Sequence, residues 1–495
     1  MKIPSYGDRD PIAALATAPG QSALAVIRTS GESSVELAAA VFSRPALLKK
    51  AQGNTIVHGW IKDPLTQKKI DEVVVSVFRS PKSFTGEDCA EITCHGGSAA
   101  VKAIIAVLKQ AGFREALPGE FSFRSFMYGK SDLTRAESVM ELVSAKTGRA
   151  REQAVKRLSG VLSGEVTEIK NMLVQVLAGC EIFLDYSEDE LTTSAGEESA
   201  GRLPDKNLAE SVLGRLKYLS QLWRHERIYA EGALAVIAGR PNAGKSSLFN
   251  YLLREDRSIV TDVPGTTRDW IEAVISVDDI PLRLADTAGL RNLEAGAMDH
   301  AMDQCGGKFD EPEAIGIRRS IELVKNADLV LYVIDGTAGI TAEDTEFIDS
   351  CAGVPLLVLW NKADIAKPPA SQQPPASQQL TAGQPMQPLA VSAKTGEGIP
   401  LLLDTIAGIL EKQAAAETEG FPGNAAGPGT IRQKELIDAA LSNTEEALAL
   451  SDRGEPLDLI APLFRNAADA LGEITGEVSN DEILETMFSR FCVGK

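Results

Sequence analysis

One eight-residue segment constrains this chain more than any other. Residues 239–246 read Gly-Arg-Pro-Asn-Ala-Gly-Lys-Ser, after the short apolar run 234–238 and before a stretch compatible with a helix. Glycines in such a turn let backbone N–H groups face an anion, and the following helix adds the positive end of its dipole. Lys245 would place an ammonium group at the β- and γ-phosphates, and Ser246 would offer its hydroxyl to Mg²⁺. The sequence therefore predicts a phosphate-binding loop for a nucleoside triphosphate.

Composition limits the class of protein that surrounds this loop. A chain of 495 residues has room for roughly two to four domains, and its 44% hydrophobic and 24% charged residues are ordinary for a soluble globular protein. The longest apolar runs, such as 354–360, are too short to span a bilayer, and residues 1–5 do not begin a secretory signal. Among the six cysteines, the spacing of Cys89 and Cys94 has no second pair to complete a metal site. We expect a cytoplasmic protein with reduced thiols and no membrane span.

The sequence pattern changes several times along the chain and predicts a multidomain fold of α+β and α/β parts. Residues 1–128 mix strand-like and helix-like runs, 129–229 are helical, 230–418 alternate strands and helices around a mostly parallel sheet, and 419–495 return to helix. Two helical segments around the α/β part predict one split helical domain into which a nucleotide-binding domain is inserted. Residues 367–389, with Pro-Pro-Ala-Ser-Gln-Gln twice, predict a disordered loop.

The first helical segment carries the most explicit periodicity. Apolar residues recur at spacings of three and four from Val155 to Phe183, which predicts one long helix. Gly160 and Gly164 each weaken a helix by roughly 1 kcal/mol relative to Ala. We therefore expect tertiary packing to hold this helix.

Three further motifs, each directly after an apolar run, predict that the base is guanine. Residues 286–289 are Asp-Thr-Ala-Gly, in which Asp286 is suited to hold Mg²⁺ through water and the glycine N–H to sense a γ-phosphate. Residues 361–364 are Asn-Lys-Ala-Asp, and the Asp364 carboxylate can accept from two guanine donors that adenine lacks. Residues 392–394, Ser-Ala-Lys, offer a backbone N–H to the guanine O6. Together the motifs predict GTP.

The residue that orients water in many GTPases is missing. Signalling GTPases place a Gln soon after Asp-x-x-Gly, whereas this chain has Leu290. Asn242 and the segment 261–269, which we take as switch I, carry oxygen atoms that could hold a K⁺ ion beside the phosphates. Such an ion would stabilise developing charge where other GTPases use an arginine finger. Asn242 taken alone is equally compatible with a purely loop-stabilising role.

Lys245 is a catalytic candidate as well as a phosphate ligand. The residues predicted to contact the nucleotide come from the phosphate-binding loop, switch I and the three later motifs. They are Asn242, Ala243, Gly244, Lys245, Ser246, Ser247, Thr261, Asp262, Val263, Pro264, Gly265, Thr266, Thr267, Asp286, Thr287, Ala288, Gly289, Asn361, Lys362, Ala363, Asp364, Ser392, Ala393 and Lys394.

Segments spread over essentially the whole chain resemble one family, the tRNA-modification GTPase MnmE (TrmE) family. The segments that carry the resemblance are residues 239–246, 261–269, 286–291 and the terminal Phe-Cys-Val-Gly-Lys at 491–495, together with 83–88, 95–97 and 118–122. The resemblance implies an N-terminal domain that binds folate and dimerises, a split helical domain and an inserted, K⁺-activated GTPase domain.

The resemblance also implies a reaction and partners. A homodimer would act with an FAD-dependent MnmG-type protein, as a heterotetramer, on tRNA. Together they would add a carboxymethylaminomethyl or aminomethyl group at carbon 5 of the wobble uridine, using 5,10-methylenetetrahydrofolate or 5-formyltetrahydrofolate. The alternative is a ribosome-assembly or regulatory GTPase whose flanking domains only dock partners. A folate site and the terminal Cys-Val-Gly-Lys would have no purpose in that alternative.

The resemblance assigns ligands by position. Those implied for Mg²⁺ are Ser246 and Thr267, those for K⁺ are Asn242, Thr261, Val263 and Thr266, and those for folate are Arg28, Glu91, Lys130 and Lys495. A carboxylate such as Glu91 suits the donors of a pterin, and cationic side chains suit the carbonyls or glutamate tail of a folate.

Two chemical roles stay open. The family's general base precedes an Ile-Gly-Ile, which points to Glu313, but the preceding segment 291–312 is longer than usual and makes Glu311 a rival. Cys492 beside Lys495 is either an activated thiolate or a packed apolar residue.

The charge balance restricts how the chain meets tRNA. A net charge of −19 argues against non-specific coating of nucleic acid, because neutralising phosphates needs a basic surface. A basic stretch does follow the N-terminal domain, formed by Lys146, Arg149, Arg151, Lys156 and Arg157. It is either a solvated helix face or a phosphate contact.

Overall fold

The computed structural model describes residues 6, 9–185, 203–230, 232–254, 272–286, 324, 327–351, 354–368, 388–415, 426–478, 481–489, 491 and 493–494. The chain divides into two compact units. One comprises 1–140, 157–213 and 435–495, and the other comprises 141–156 and 214–434. In the described part of the chain, no helix combines the length and apolar character that crossing a membrane requires.

The N-terminal part of the first unit is a six-stranded sheet covered by helices. Its strands are β1 (Ile12–Leu15), β2 (Leu24–Ser30), β3 (Thr55–Lys62), β4 (Lys69–Phe78), β5 (Cys89–His95) and β6 (Arg114–Glu115), in the order β3-β4-β5-β2-β1-β6. Neighbouring strands are antiparallel except β1 and β6. The accompanying helices are α1 (Ser34–Ala40), α2 (Pro45–Lys50), α3 (Ser98–Gln110) and α4 (Glu120–Met127). This is the mixture of helix and strand that the sequence pattern predicts.

The two faces of this sheet differ. Side chains alternate across a strand, so Val73, Val75 and Val77 of β4 are buried in the core with α1 and α3. Val74 on the same strand and Ile56 on β3 are exposed. The second face of the sheet is therefore partly open near β3 and β4.

The helical segment that follows differs from the prediction at one point. It contains α5 (Leu133–Ser144), α6 (Gly148–Leu158), α7 (Val161–Asp185) and α8 (Lys206–Ala230). The predicted single helix through Val155 is wrong, because Gly160 has φ 93° and separates α6 from α7. A Cβ at Gly160 would also collide with the guanidinium of Arg135. Apolar periodicity does not reveal such a break, since it does not depend on the φ of one glycine.

The second unit contains a mostly parallel sheet, as predicted, and the sheet is doubly wound. Its strands are β7 (Ala233–Ala238), β8 (Glu272–Val277), β9 (Ile280–Asp286), β10 (Leu329–Asp335), β11 (Leu356–Asn361) and β12 (Leu389–Ala390), in the order β12-β11-β10-β7-β9-β8. Only β8 and β9 pair antiparallel in this sheet, within the described residues. The helices are α9 (Lys245–Arg254), α10 (Ala342–Ser350) and α11 (Ile399–Ala415).

Both faces of this sheet are buried. Ile237, Leu331 and Leu359 pack on one face with α9 and α11, and Val330 and Trp360 pack on the other with α10. Continuous apolar strands such as β10 therefore alternate between two cores rather than between core and solvent. The predicted disordered loop 367–389 falls almost entirely outside the described residues.

Three helices follow, α12 (Ile431–Asp452), α13 (Leu457–Thr475) and α14 (Asp481–Phe488). Helix α13 packs along α7, whose buried residues Leu162, Val166, Ile169 and Leu173 keep the predicted spacing of three and four. Helix α14 contacts α4, where the Phe488 ring meets the Phe123 ring at a centroid distance of 5.5 Å. The C-terminal helices thus belong to the same unit as the N-terminal sheet.

Candidate functional site

The phosphate-binding loop has a backbone that few sequences could adopt. It connects β7 to α9, and Gly239, Asn242 and Gly244 all have positive φ, at 140°, 61° and 99°. A Cβ at Gly239 would collide with the carbonyl oxygen of Val333, and one at Gly244 with the side chain of Asn361. Glycine is therefore required at both positions, and Asn is one of the few other residues that tolerates the left-handed region.

Lys245 is buried and bends back over this loop. Its Nζ donates hydrogen bonds to the carbonyl oxygens of Gly239 at 2.8 Å and Arg240 at 2.9 Å. Asn242 and Ser246 are exposed. The ammonium group, the exposed serine hydroxyl and the N-terminus of α9 thus lie together around one loop, which is the arrangement that binds a polyphosphate.

The guanine motifs meet the phosphate-binding loop through one buried amide. Nδ2 of Asn361 donates to the carbonyl oxygen of Ala243 at 2.8 Å, and its Oδ1 accepts from the backbone N–H of Ala393 at 3.1 Å. The hydroxyl of Ser392 donates to Oδ1 of Asp364 at 2.7 Å. The structure thereby brings three motifs together and orients the carboxylate that is expected to read guanine.

The motifs share one edge of the sheet because the parallel strands end there. Strands β7, β10 and β11 end at Ala238, Asp335 and Asn361, and β9 ends at Asp286, which lies opposite Ile237 in the register. Ligands of open α/β sheets bind at this carboxyl edge. The side chain of Asp286 lies outside what the structure describes.

Asp335 is a charged residue at the same sheet edge that the sequence reasoning missed. Its carboxylate accepts from Nζ of Lys362 at 2.6 Å and from both the backbone and the hydroxyl of Thr337. Burial opposes ionisation, but the hydrogen bonds from Lys362 and Thr337 prevail and lower the pKa of Asp335 to about 2. The available signal was its place at the end of an apolar run, the position occupied by each of the other motifs.

Several predicted residues cannot be placed. Switch I with Thr261, Asp262, Val263, Pro264, Gly265, Thr266 and Thr267, the segment Thr287, Ala288 and Gly289, and Glu313, Glu311, Cys492 and Lys495 all lie outside the described residues. The predicted Mg²⁺ and K⁺ sites are therefore described only at Ser246 and Asn242.

A second candidate site lies on the N-terminal sheet. Arg28 on β2 is directly opposite Glu91 on β5, and its Nε and Nη2 lie 2.9 and 2.8 Å from Oε1 of Glu91. The guanidinium also lies 5.1 Å from the ring centroid of Phe84 and 5.8 Å from that of Phe121. Arg28 and Glu91 are 21% and 29% exposed, so the pair is accessible without being fully solvated.

The C-terminal segment reaches this second site. Nη1 of Arg28 donates to the carbonyl oxygen of Gly494 at 3.3 Å. Gly494 has φ 91° and is so close to β1 that a Cβ would collide with the carbonyl of Leu15. Gly494 is therefore seated against β1, the neighbour of the strand β2 that carries Arg28.

Lys130 borders the site rather than joining the ion pair. Its Nζ donates to the carbonyl of Pro81 at 2.9 Å, and its stem lies beside Gly86 in the segment 83–88. Of the four predicted folate residues, the structure brings Arg28 and Glu91 into contact and places Lys130 at the adjoining loop.

A buried ionic network holds that loop, and the sequence reasoning missed it. Oε2 of Glu87 accepts from the hydroxyl of Ser30 at 2.7 Å and from Arg124 at 3.1 Å, and Arg124 also pairs with Glu120 at 3.0 Å. The network fixes the segment that carries Phe84. Ser30 and Glu87 lie far in sequence from the Glu120–Arg124 pair, so no local pattern could have revealed the whole network.

The basic stretch does not form one solvated surface. Arg157 is 1% exposed, Arg149 donates to the Tyr229 hydroxyl at 2.5 Å and pairs with Glu411 at 3.2 Å, and Lys156 pairs with Glu152. Buried Arg157 is not available to phosphates, so the five residues do not act as one set. Arg149 and Arg151 are exposed, and a phosphate contact through them stays a prediction.

A doubly wound sheet with a phosphate-binding loop and the Asn-Lys-Ala-Asp and Ser-Ala-Lys motifs at its carboxyl edge defines a P-loop GTPase domain. Residues 133–492 match the MnmE helical domain, and residues 11–130 match the GTP-binding protein TrmE N-terminus. The chain belongs to the MnmE family of tRNA modification GTPases, and it is a GTP hydrolase of tRNA modification.

Curated relatives named "tRNA modification GTPase MnmE" match this chain over its whole length. The protein from Treponema denticola is 44% identical over 500 residues, covering 100% of both chains. The protein from Treponema pallidum is 39% identical over 529 residues, again covering 100% of both. The protein from Geobacillus thermodenitrificans is 38% identical over 489 residues and covers 98% of this chain and 99% of the relative.

Proposed function

We propose that this chain couples GTP hydrolysis to the transfer of a folate one-carbon unit onto tRNA. It would act with an FAD-dependent MnmG-type partner to place a carboxymethylaminomethyl or aminomethyl group at carbon 5 of the wobble uridine. The observation that carries the proposal is the Arg28–Glu91 pair, set beside aromatic rings and touched by the chain end. A purely regulatory or ribosome-assembly GTPase has no use for such a site.

The residues present fit a reduced folate. The Glu91 carboxylate can accept from the pterin amino and N–H donors, and Arg28 and Lys130 can meet carbonyl or carboxylate oxygens. Phe84 is partly exposed next to Arg28 and offers a flat apolar face to a pteridine ring. When bound, either 5,10-methylenetetrahydrofolate or 5-formyltetrahydrofolate would supply the one-carbon unit, while these side chains bind and orient it. Lys495 is proposed as a further contact, and Cys492 as either a thiolate or a packed residue.

The nucleotide side of the proposal assigns two cations. Ser246, exposed at the N-terminus of α9, would hold Mg²⁺ together with Thr267. Asn242, exposed in the left-handed region of the loop, would hold K⁺ with Thr261, Val263 and Thr266. Glu313 is proposed as the base that orients water, and Lys245 as the cation that stabilises charge on the phosphates.

The proposed assembly is a cytoplasmic homodimer that forms a heterotetramer with its partner. The open sheet face beside the Arg28 site supports the dimer, since Ile56 and Val74 on that face are exposed apolar side chains. The proposed division of the chain is a folate-binding and dimerisation domain over 1–128, a helical domain from 129–229 and 419–495, and an inserted GTPase domain over 230–418.

One pair of measurements on the full-length chain tests the proposal. GTP turnover is compared in KCl and NaCl at equal ionic strength, and binding of 5-formyltetrahydrofolate is measured by calorimetry. We expect faster turnover in KCl and saturable folate binding. Turnover indifferent to the cation would exclude the K⁺ site, and absence of folate binding would exclude the one-carbon reaction.

A variant isolates the cation effect. Asn242→Gly keeps the positive φ of the loop but removes the amide oxygen. We expect it to lose the preference for KCl while binding GDP about as tightly as the parent. Retained preference in this variant would remove Asn242 from the cation site.

A further inference from the structure

A fully buried carboxylate contacts the phosphate-binding loop. Asp344 lies in the first turn of α10 with 0% relative exposure. Its Oδ1 accepts from the Tyr332 hydroxyl at 2.8 Å and pairs with Nε of Arg240 at 3.2 Å. Arg240 is the second residue of the loop, and Tyr332 belongs to β10. One carboxylate oxygen thus connects the loop to a strand and a helix of the sheet's second core.

The carboxylate is held in one orientation by its own helix. Oδ2 of Asp344 accepts from the backbone N–H and the hydroxyl of Thr341, both at 2.8 Å, as a reciprocal cap of α10. The Tyr332 ring stacks on Phe347 at a centroid distance of 4.8 Å. Because both oxygens are engaged and the side chain is desolvated, removing its cationic partner would leave a costly buried charge.

Arg240 also contacts Lys245 through its backbone carbonyl. The carbonyl oxygen of Arg240 accepts from Nζ of Lys245 at 2.9 Å, beside the carbonyl of Gly239 at 2.8 Å. Gly239 itself lies against Val333, the residue after Tyr332. The first two residues of the loop are therefore anchored to β10 and α10, and their carbonyls set the position of the lysine.

We propose that Asp344 is a positioning residue for GTP hydrolysis, which holds the phosphate-binding loop in its anion-binding shape through Arg240. Arg240 acts as an anchor of the loop rather than as a ligand of the phosphates. Cutting this anchor weakens the contacts that the loop makes to the β- and γ-phosphates and leaves the guanine contacts of Asp364 in place. The proposal concerns the GTPase domain alone and is independent of the potassium and folate proposals.

The test measures GDP dissociation and GTP turnover in the full-length chain. Arg240→Ala removes the guanidinium from a partly exposed position, and Asp344→Asn removes the charge while keeping the shape of the side chain. We expect each variant to raise the Kd for GDP about tenfold through faster dissociation, the effect of one charge-assisted hydrogen bond. The kcat at saturating GTP should fall together with the affinity, because the carbonyls of Gly239 and Arg240 also set the position of Lys245. Glu343→Gln, an exposed acid in the same turn, is the control and should change neither quantity.

The double variant tests whether Arg240 and Asp344 act through one and the same contact. Arg240→Ala with Asp344→Asn should show the loss of one single variant, since both cut the same connection. The proposal is overturned if the Kd for GDP of the double variant rises by the product of the two single-variant increases. Unchanged GDP affinity in Arg240→Ala overturns it as well. A lower kcat at unchanged affinity also overturns it, because Arg240 would then act on the transition state. If Asp344→Asn does not fold, Tyr332→Phe replaces it. We expect this variant to lose about threefold in GDP affinity, and to cause no further loss when it is combined with Arg240→Ala.

Discussion

Asn361 and Ala243 are 118 residues apart in the sequence, and the amide of Asn361 donates to the carbonyl of Ala243 at 2.8 Å. The oxygen atom of the same side-chain amide accepts a hydrogen bond from the backbone N–H of Ala393. A single buried side chain therefore joins the part of the site that binds phosphates to the part that binds the base. The distance between the two parts is fixed by this contact rather than by either loop alone.

Replacement of this asparagine is expected to weaken nucleotide binding as a whole. Asn361→Ala leaves the carbonyl of Ala243 and the N–H of Ala393 without this partner, at a cost of about 1–3 kcal/mol for each buried group. We expect the Kd for GDP to rise at least tenfold, measured by fluorescence of a labelled nucleotide. Asn250→Ala, an exposed asparagine on α9, is the matched control. Equal affinity in the two variants would contradict the bridging role.

The base preference is expected to depend on Asp364. Asp364→Asn replaces an acceptor for two guanine donors with an amide whose N–H₂ group can donate to the C2 carbonyl of xanthine. We expect turnover of GTP to fall by at least about tenfold and turnover of xanthosine triphosphate to appear, since unpaired polar groups discriminate strongly. Glu397→Gln, an exposed acid near the same loop, should keep GTP preference. A variant that still prefers GTP would remove Asp364 from base recognition.

The folate proposal predicts that the ion pair on the N-terminal sheet is required for ligand binding. Arg28→Ala and Glu91→Gln should each reduce the affinity for 5-formyltetrahydrofolate by about tenfold or more, without changing GTP turnover in the absence of folate. Calorimetry on the full-length variants measures both affinity and stoichiometry. Lys102→Ala, which removes an exposed cation from α3, is the control for charge alone. Normal folate affinity in Arg28→Ala would place the ligand elsewhere.

Two glycines four residues apart are expected to respond oppositely to the same substitution. Gly160 has φ 93°, a conformation that L side chains rarely adopt, so Gly160→Ala should destabilise the chain by about 1–2 kcal/mol. Gly164 lies inside α7 with open space around it, so Gly164→Ala should stabilise by about 0.5–1 kcal/mol. Urea unfolding followed by circular dichroism measures both. Equal effects of the two substitutions would contradict the break between α6 and α7.

The carboxylate of Asp335 is expected to contribute to acid unfolding. Its pKa is lowered from an ordinary value near 4 to about 2, so its contribution to stability is present above about pH 4 and is lost as the pH falls toward 2. Asp335→Asn should therefore show a smaller loss of stability between pH 4 and pH 2 than the parent. The urea midpoint measured across this range tests the expectation, with the exposed Asp404→Asn as the control. If the urea midpoints of the parent and of Asp335→Asn fall in parallel between pH 4 and pH 2, Lys362 does not stabilise the ionised Asp335 carboxylate.

Much of the nucleotide site could be predicted from the sequence because its chemistry is local. A glycine-rich turn between a strand and a helix forms its anion site from consecutive backbone groups, so residues 239–246 carry the prediction by themselves. The guanine motifs were recognisable because each follows an apolar run that forms a strand, and parallel strands end at one edge of the sheet. The alternation of strands and helices likewise predicted the mostly parallel sheet.

Tertiary structure alone decided which charges pair and where a helix breaks. Arg28 and Glu91 are 63 residues apart, and Asp344 and Arg240 are separated further still. The pairing energy depends on distance and burial that no local pattern encodes. The break at Gly160 and the burial of Arg157 depend on neighbours from other helices, whereas periodicity records only the apolar face. The sequence by itself determined the groups that can bind GTP, and the fold determined which side chains hold those groups in place.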